Sequence, residues 1–291
     1  MFESQGWQRI DMSTEFLSDV DTAAVRNLIE GIAGKEVLPR FRALKDHEIR
    51  DKGRGDLVTE ADLAVEALLS EVLPSLLPGS CIVGEEGVHL EPGLLNRLEG
   101  EAPVWLIDPV DGTANFADGR EPFCVMVALT YRQKTLAAWI YAPLRAEMTE
   151  AILGGGALCN GEPVSVAESR SLEEMHGAVH LRYLPERVRR RVRPGLDRFG
   201  SNTELYCAGE TYLRLAHGGL DHALFWRAKP WDHAPGELIV REAGGHTAFL
   251  DGTPYAPLPP GPTGLIGVAA RGNWENVRDA LNLYPEDSHL S

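Results

Sequence analysis

Apolar residues recur at helical spacing in two segments near the N-terminus. The first segment spans residues 19–44. A second helix is predicted from Thr59, because Thr59 and Asp62 have the spacing of a capping box and apolar residues follow at helical intervals. Pro78-Gly79 ends this helix. The charged segment 45–57 between the two helices contains glycines and predicts a mobile loop.

Short runs of β-forming residues predict strands in the middle of the chain. The apolar runs 81–83 and 104–107 are each followed closely by acidic residues. Proline has a fixed φ and no N–H, so Pro109 is expected to stop the second of these strands. Further runs predict an antiparallel meander. They lie at residues 123–131, 135–142 and 147–153.

Beyond about residue 170 the pattern changes to alternating strands and helices, including a strand at 203–207 and a helix at 209–217. Such alternation is typical of α/β folds. The sequence therefore predicts a mixed α+β and α/β protein. Its predicted parts are an N-terminal extension (1–17), an N-terminal half with the meander (18–160) and a C-terminal α/β half (161–291).

Composition excludes several classes of function. The 291 residues are 44% hydrophobic and 24% charged, as in ordinary globular proteins. The net charge of −15 argues against a nucleic-acid partner, which would require a basic surface. The four cysteines form no C-x-x-C pair, which fits a reducing compartment. Because no leader and no apolar run of about 20 residues is evident, we expect a cytoplasmic protein without membrane contact.

Acidic residues follow two of the predicted strands. Glu85 and Glu86 come after the first strand, and Asp108 and Asp111 after the second. Neighbouring strands would bring these ends together, and oxygen-only ligands favour Mg²⁺ with water and phosphate. Gly112-Thr113 opens a predicted helix, where free backbone N–H groups favour an anion. The segment therefore predicts a divalent cation that holds a phosphate.

Three motifs resemble those of the inositol monophosphatase family of metal-dependent sugar phosphatases. They are G-E-E at 84–86, D-P-V-D-G-T-A-N-F at 108–116 and W-D-H-A-P-G-E-L-I-V-R-E-A-G-G at 231–245. The motifs occur in the family's order, and the resemblance runs from about residue 19 to 283. It implies a layered αβαβα fold and two to three Mg²⁺ ions in each active site.

The resemblance also implies a set of metal ligands. Glu85, Asp108 and the carbonyl of Val110 would hold the first ion. Asp108, Asp111 and Asp232 would hold the second, so that Asp108 bridges the two. Glu85 would also support a third, weaker ion.

The same resemblance implies the catalytic residues. Asp56 and Thr113 would position and deprotonate the attacking water, while Glu85 contributes through its metal ions. The backbone N–H groups of Gly112 and Thr113 would receive the phosphate. Glu86 would orient the ligands rather than bind metal, as carboxylates around a metal site often do.

Substrate-contacting positions depart from the family's pattern. In studied inositol phosphatases a Gly-Ser/Thr-Ala stretch and a glutamate contact the ring, whereas this chain has Tyr-Cys-Ala-Gly-Glu at 206–210 and Phe225. Loss of a carboxylate acceptor should change which alcohol binds. Glu210 could replace that acceptor, and Lys229 could bind a second anionic group. The candidate specificity residues are Gly209, Glu210, Phe225, Arg227, Lys229 and His233.

Seven arginines between Arg182 and Arg198 stand out in an acidic chain. A solvated helix face is the simplest interpretation. The alternatives are a dimer contact and an electrostatic guide for phosphorylated substrates. The resemblance itself implies a homodimer.

The predicted function is Mg²⁺-dependent hydrolysis of a small polyol or sugar phosphate, such as inositol 1-phosphate. Histidinol phosphate, fructose 1,6-bisphosphate and 3′-phosphoadenosine 5′-phosphate are alternative substrates. The last is less favoured, because family members that act on it usually have K-E-F rather than A-N-F after D-G-T. A non-catalytic, protein-binding role is a further alternative. The resemblance also implies inhibition by Li⁺.

Overall fold

The chain folds around two β-sheets, of seven and five strands, in a computed structural model that describes residues 16, 18, 20–53, 56–258 and 264–289. The predicted N-terminal extension therefore lies outside the described residues, apart from Phe16. A separate antiparallel hairpin consists of β1 (Ile49–Gly53) and β2 (Asp56–Thr59). The segment 45–57, predicted as a mobile loop, thus contributes strand β1 and the start of β2.

The seven-stranded sheet contains the predicted meander. Its order is β3 (Cys81–Gly84), β4 (Val104–Asp111), β5 (Cys124–Tyr131), β6 (Lys134–Ala142), β7 (Glu147–Ile152), β8 (Gly156–Cys159) and β9 (Glu162–Pro163). Strands β3 and β4 are parallel, and every later pair is antiparallel. The sheet continues to Pro163, past residue 160, where the sequence pattern divides the chain.

The five-stranded sheet is mixed. In chain order its strands are β10 (His176–Val179), β11 (Ser201–Thr203), β12 (His222–Phe225), β13 (His246–Phe249) and β14 (Leu265–Val268). Their spatial order is β11-β10-β12-β14-β13, and β10 pairs in parallel with both β11 and β12. The strand predicted at 203–207 is wrong, because β11 ends at Thr203 and Tyr206 has a left-handed φ of 53° that a strand cannot contain.

Helices cover both sheets. They are α1 (Thr22–Ile32), which continues as a π-helical turn over Ala33–Val37, α2 (Glu60–Leu76), α3 (Glu85–Leu90), α4 (Thr113–Ala117), α5 (Glu186–Gly195), α6 (Ala208–Ala216), α7 (Pro230–Glu242) and α8 (Trp274–Ala280). The capping box predicted for α2 is present, with Thr59 as its N-cap. None of the described helices is both long enough and apolar enough to cross a bilayer.

Alternation along the strands separates the core into layers. Val125 and Val127 of β5 pack with α1 and α2, whereas Cys124 and Met126 face α6 and α7. Residues of α6 and α7 also pack against one face of the five-stranded sheet, and α5 and α8 cover its other face. The layers are therefore α, β, α, β, α, which confirms the predicted fold.

Candidate metal and phosphate site

Strand β4 carries Asp108 and Asp111 and does not stop at Pro109. Both aspartates pair with β5, and the register shifts between them. Because the irregularity coincides with Pro109, the missing N–H of proline does not remove a regular ladder hydrogen bond. The prediction that Pro109 ends the strand is wrong. The bulge instead lets one strand deliver two carboxylates to one place.

The turn after β4 requires glycine. Gly112 has a φ of +88° and precedes helix α4. A Cβ at this position would lie 2.9 Å from the carbonyl oxygen of Pro122, so a side chain is excluded by both conformation and space. The helix predicted to open here is confirmed, with Thr113 as its first residue. Phosphate binding by the N–H groups of Gly112 and Thr113 stays a prediction.

Three of the predicted ligands converge in a buried cluster. Carboxylate oxygens of Glu85, Asp108 and Asp232 all lie within 4.8 Å of one another. Burial, together with the charges of Glu85, Asp111 and Asp232, raises the pKa of Asp108 well above its ordinary range. The pKa of Asp232 is raised to about 8, chiefly by burial. These carboxylates lie close together and repel each other, which favours a bound cation.

One oxygen of the cluster indicates that a cation binds here. Asp108 Oδ1 is buried and has no hydrogen-bond partner among the described residues. A buried carboxylate oxygen without a donor is costly unless a cation contacts it. All the atoms of the cluster that could bind a metal are carboxylate oxygens. The residues therefore fit a hard divalent cation such as Mg²⁺ rather than a soft metal.

Asp111 is held beside the cluster by helix α6. Its Oδ2 accepts the N–H of Gly209 at 2.5 Å and the thiol of Cys207 at 2.9 Å. A Cβ on Gly209 would lie 3.1 Å from that same oxygen. Gly209, predicted to determine substrate specificity, instead lets the start of α6 approach Asp111 and is not among the residues that line the cleft.

Two lysines approach the same carboxylates. Lys229 Nζ lies 2.8 Å from Glu85 Oε1, and Lys52 Nζ lies 3.3 Å from Glu85 Oε1 and 2.8 Å from Glu86 Oε1. Burial raises the pKa of Glu85, but the charges of Lys229 and Lys52 outweigh burial, and the pKa is lowered overall. Lys52 was missed in the sequence, because its segment was interpreted as a loop. Lys229, predicted to bind a second anionic group, contacts a predicted metal ligand instead.

The hydroxyl of Thr113 contacts Asp62, not Asp56 as predicted. Thr113 Oγ1 lies 3.2 Å from Asp62 Oδ1 and 2.9 Å from the Val110 carbonyl oxygen. Asp62 Oδ2 accepts both the N–H and the hydroxyl of Thr59. Asp62 is therefore held rigidly by the capping box and presents its other oxygen to Thr113. Asp56 lines the cleft without being a hydrogen-bond partner of Thr113 in the described structure.

A second buried acid on α2 supports the ligand loop. Glu66 accepts the N–H of Glu86 at 2.8 Å and that of Gly87 at 2.7 Å, which fixes the start of helix α3. Glu66 and Asp62 are one helical turn apart and lie on one face of α2. Their signal in the sequence is a pair of acidic residues four apart on the helix face that also carries Leu69 and Leu73, which a charge count alone does not reveal.

The cluster lies at the base of a cleft of about 400 Å³. Phe225, Arg227, Lys229 and His233 line this cleft, as expected for residues that contact substrate. Phe225 is buried and stacks on Tyr212, with ring centroids 4.5 Å apart. An aromatic ring thus occupies the position where family members have a carboxylate acceptor.

Glu210, the predicted replacement for that acceptor, is engaged with two arginines. It is buried, and its carboxylate lies 2.8 Å from Arg145 and 2.8 Å from Arg214. Glu210 is also not among the residues that line the cleft. The structure therefore places Glu210 in a salt-bridge cluster, and its contact with substrate stays a prediction.

His233 forms hydrogen bonds within the protein through both of its ring nitrogens. Its Nδ1 lies 3.0 Å from the Tyr212 hydroxyl, and its Nε2 lies 2.5 Å from the carbonyl oxygen of Arg227. Burial lowers the pKa of His233 to about 4, so the ring is neutral near pH 7. A neutral ring that accepts from Tyr212 donates through Nε2 to Arg227. His233 thereby fixes the backbone of the segment that lines the cleft.

The arginines of 182–198 do not form one surface. Arg189 and Arg190 pair with Glu186 on helix α5, and Arg191 pairs with Asp287. Arg182, by contrast, lines the cleft. The interpretation as a solvated helix face describes Arg189 and Arg190, whereas Arg182 belongs to the site.

Comparison with known proteins gives the same assignment. The family model for the inositol monophosphatase family matches residues 17–281. An inositol monophosphatase of Dictyostelium discoideum is 33% identical over 73% of this chain and 78% of its own length. Nus factor SuhB of Vibrio cholerae is 32% identical over 77% of this chain and 83% of its own.

Solved structures extend the likeness to the fold. A Thermotoga maritima IMPase superposes with a TM-score of 0.75 and 25% identity, over 89% of this chain and 96% of that one. The match includes the layers that position the carboxylate cluster. Together with the matched motifs, it shows that the chain belongs to the inositol monophosphatase family.

Proposed function

We propose that this protein is a Mg²⁺-dependent phosphomonoesterase that hydrolyses a small polyol or sugar phosphate. The observation that carries the proposal is the buried cluster of Glu85, Asp108 and Asp232, with its unpartnered Asp108 oxygen, at the base of the cleft. Carboxylates that repel each other and line a cleft are typical of a metal-dependent active site.

The residues that would hold Mg²⁺ are Glu85, Asp108, the Val110 carbonyl, Asp111 and Asp232. When bound, Mg²⁺ would supply charge that polarises the phosphate and lowers the pKa of a water molecule. Two to three ions for each active site are proposed from the family. The carboxylates are held in place beforehand by α6, by the bulge in β4 and by Glu66, so little reorganisation is needed.

The Thr113 hydroxyl and Asp62 act on the attacking water. Because Asp62 Oδ1 accepts the proton of Thr113, the hydroxyl oxygen is free to accept a hydrogen bond from water. This pair orients the water and draws its proton away during attack. The N–H groups at 112–113 would bind the phosphate oxygens, and Lys229 would balance the negative charge beside Glu85.

The candidate substrates differ in the alcohol that carries the phosphate. Inositol 1-phosphate, histidinol phosphate, fructose 1,6-bisphosphate and 3′-phosphoadenosine 5′-phosphate are the candidates. The buried Phe225 in place of an acceptor disfavours a neutral polyol that needs a carboxylate for its hydroxyls. A regulatory role is the alternative to catalysis, since one relative bears the name Nus factor.

Phosphate release from this panel, with and without Mg²⁺, tests the proposal. Asp108→Asn should lower kcat by at least about 1,000-fold, because an oxygen that contacts the metal is lost at the centre of the site. The control is Asp197→Asn, which changes an exposed aspartate on the far surface and should leave activity unchanged. Calorimetric titration with Mg²⁺ gives a second readout, and Asp108→Asn should weaken binding.

Two results would contradict the proposal. One is the absence of Mg²⁺-dependent phosphate release from every compound of the panel, which would favour the regulatory role. The other is full activity in Asp108→Asn. We also propose that Li⁺ inhibits the enzyme, which the same assay measures. We further propose that the protein is a homodimer, which size-exclusion chromatography with light scattering measures.

A further inference from the structure

The cleft is lined by four cationic side chains, and two of them have no carboxylate partner. Arg120 and Lys229 each lie within 2.8 Å of a carboxylate. Arg182 and Arg227 also line the cleft, but no carboxylate lies within ion-pair distance of either in the described part of the chain. Because the protein is acidic overall, two guanidinium groups without a carboxylate partner beside the proposed phosphate site favour an anionic ligand.

Both arginines are exposed, and a defined contact holds one of them. Arg227 stacks on Tyr183, with Cζ 5.2 Å from the ring centroid, and its carbonyl oxygen is bound by His233. Arg182 precedes Tyr183 in a short 3₁₀ turn, Leu181–Tyr183. Tyr183 therefore stacks on Arg227 and directly follows Arg182 in the chain, which places both arginines on one part of the cleft wall.

The wall behind these arginines is rigid and aromatic. His180 Nε2 accepts the N–H of Leu205 at 3.1 Å, and the His180 ring lies 5.2 Å from that of Tyr206. The carboxylate on this rim, Glu204, accepts the Tyr206 hydroxyl at 2.6 Å. Glu204 is thus held against the wall by the Tyr206 hydroxyl and the N–H of Leu181, and it is not among the residues that line the cleft.

The arginines share electrostatic surroundings with the carboxylate cluster. Burial raises the pKa of Tyr183, and the charges that act on this phenol are those of Arg182 and Arg227 and of Asp111 and Asp232. Both arginines, Tyr183 and the carboxylates Asp111 and Asp232 line the same cleft of about 400 Å³, so a substrate that fills the cleft contacts both groups. Phe225 is apolar and offers no acceptor to the hydroxyls of a polyol.

We infer that the substrate carries a second anionic group on its alcohol, and that Arg182 and Arg227 bind this group while the scissile phosphate lies at the carboxylate cluster. The inference rests on the proposed phosphatase function. Guanidinium groups bind phosphate and carboxylate through paired, charge-assisted hydrogen bonds, which fits this role. Arg182 and Arg227 are specificity-determining residues and take no part in bond cleavage.

Matched substrate pairs test the inference. Fructose 1-phosphate and fructose 1,6-bisphosphate differ only in the distal phosphate, as do adenosine 3′-phosphate and adenosine 3′,5′-bisphosphate. The wild type should prefer the bisphosphate of at least one pair by about 10-fold or more in kcat/KM, because charge-assisted hydrogen bonds are strong. The two pairs distinguish a sugar from a nucleoside as the carrier of the second anion.

Charge variants assign the preference to the two arginines. The double variant Arg182→Met/Arg227→Met should reduce the ratio of kcat/KM between bisphosphate and monophosphate to near unity, mainly through KM. Arg227→Lys should restore part of the ratio, because it returns a charge. The control Arg189→Met removes an arginine of helix α5 that pairs with Glu186, and it should leave the ratio unchanged.

The outcomes separate this inference from the proposed function. Equal kcat/KM for both members of both pairs in the wild type overturns the inference and leaves the phosphatase function standing. The inference is also overturned if the double variant keeps the wild-type ratio of kcat/KM between bisphosphate and monophosphate. If no member of either pair releases phosphate with Mg²⁺, and no other phosphate of the panel does, the proposed function fails and the inference falls with it.

Discussion

Exchange of Asp62 for asparagine separates the catalytic role of this residue from its structural role. Asp62 is buried, and its Oδ2 accepts the N–H of Thr59 at 2.8 Å, while its Oδ1 contacts Thr113 at 3.2 Å. Asparagine has the same shape and keeps one acceptor oxygen, which can remain on Thr59. The helix cap should therefore survive, with a cost in unfolding free energy below about 1 kcal/mol.

The other terminal atom of the asparagine becomes a donor. Its N–H₂ group would face the Thr113 hydroxyl, whose own proton would then turn to the Val110 carbonyl oxygen, 2.9 Å away. Thr113 could no longer pass a proton toward Asp62. Loss of a positioned general base typically costs about 10²- to 10⁴-fold in rate. This loss corresponds to about 2.7 to 5.4 kcal/mol in the activation barrier.

Phosphate release at saturating Mg²⁺ measures kcat for Asp62→Asn, and calorimetry checks that Mg²⁺ affinity is kept. The comparison variant is Asp56→Asn, which changes the other aspartate of the same segment. It should lower kcat by less than about 10-fold, since Asp56 has no hydrogen bond to Thr113 among the described contacts. The assignment of Asp62 is refuted if its variant retains kcat within that range or if Asp56→Asn loses as much.

Two further predictions concern stability. In the absence of metal, Asp108→Asn should raise the free energy of unfolding by about 1–3 kcal/mol, because it removes a buried charge from repelling neighbours. Thermal unfolding with and without Mg²⁺ checks it, and stabilisation by Mg²⁺ should shrink. His222 is fully buried, neither ring nitrogen has a hydrogen-bond partner among the described residues, and burial lowers its pKa to about 4. Its unfolded form binds a proton below pH about 6.5, so stability is lost as the pH falls from about 6.5 to about 4, by about 3 kcal/mol in all. Urea unfolding at both ends of this range should show a weaker pH dependence in His222→Leu, and an unchanged dependence would contradict the assignment.

Local signals in the sequence were sufficient for several elements. The capping box at Thr59 placed the start of helix α2, and the runs of β-forming residues gave the meander, because both features depend on neighbouring residues alone. The prediction that Pro109 ends its strand failed because it too used a local signal alone. Its local effect is to break a strand, but it sits at a bulge whose position depends on the register with β5.

The direction of side chains on α6 could not be predicted from its sequence. Nearly all of its residues are buried, because the helix lies between the two sheets. Its charged residues Glu210 and Arg214 are one turn apart and pair with each other, so periodicity does not indicate which side meets a ligand. Gly209 and Glu210 were assigned to substrate from the family resemblance, whereas in the structure the first contacts Asp111 and the second contacts two arginines.

Helix α2 links the two halves of the proposed chemistry. Asp62 contacts the hydroxyl that would orient water, and Glu66, one turn further along, holds the backbone that presents Glu85 to the metal. Both carboxylates project from the buried face of one helix, and Leu69 and Leu73 anchor the same face in the core one to three turns further along. Any shift of α2 would therefore move the water-orienting group and the metal ligand together. Their relative geometry then depends on the rise of a single helix, which gives a reason for two buried acids on its core-facing side.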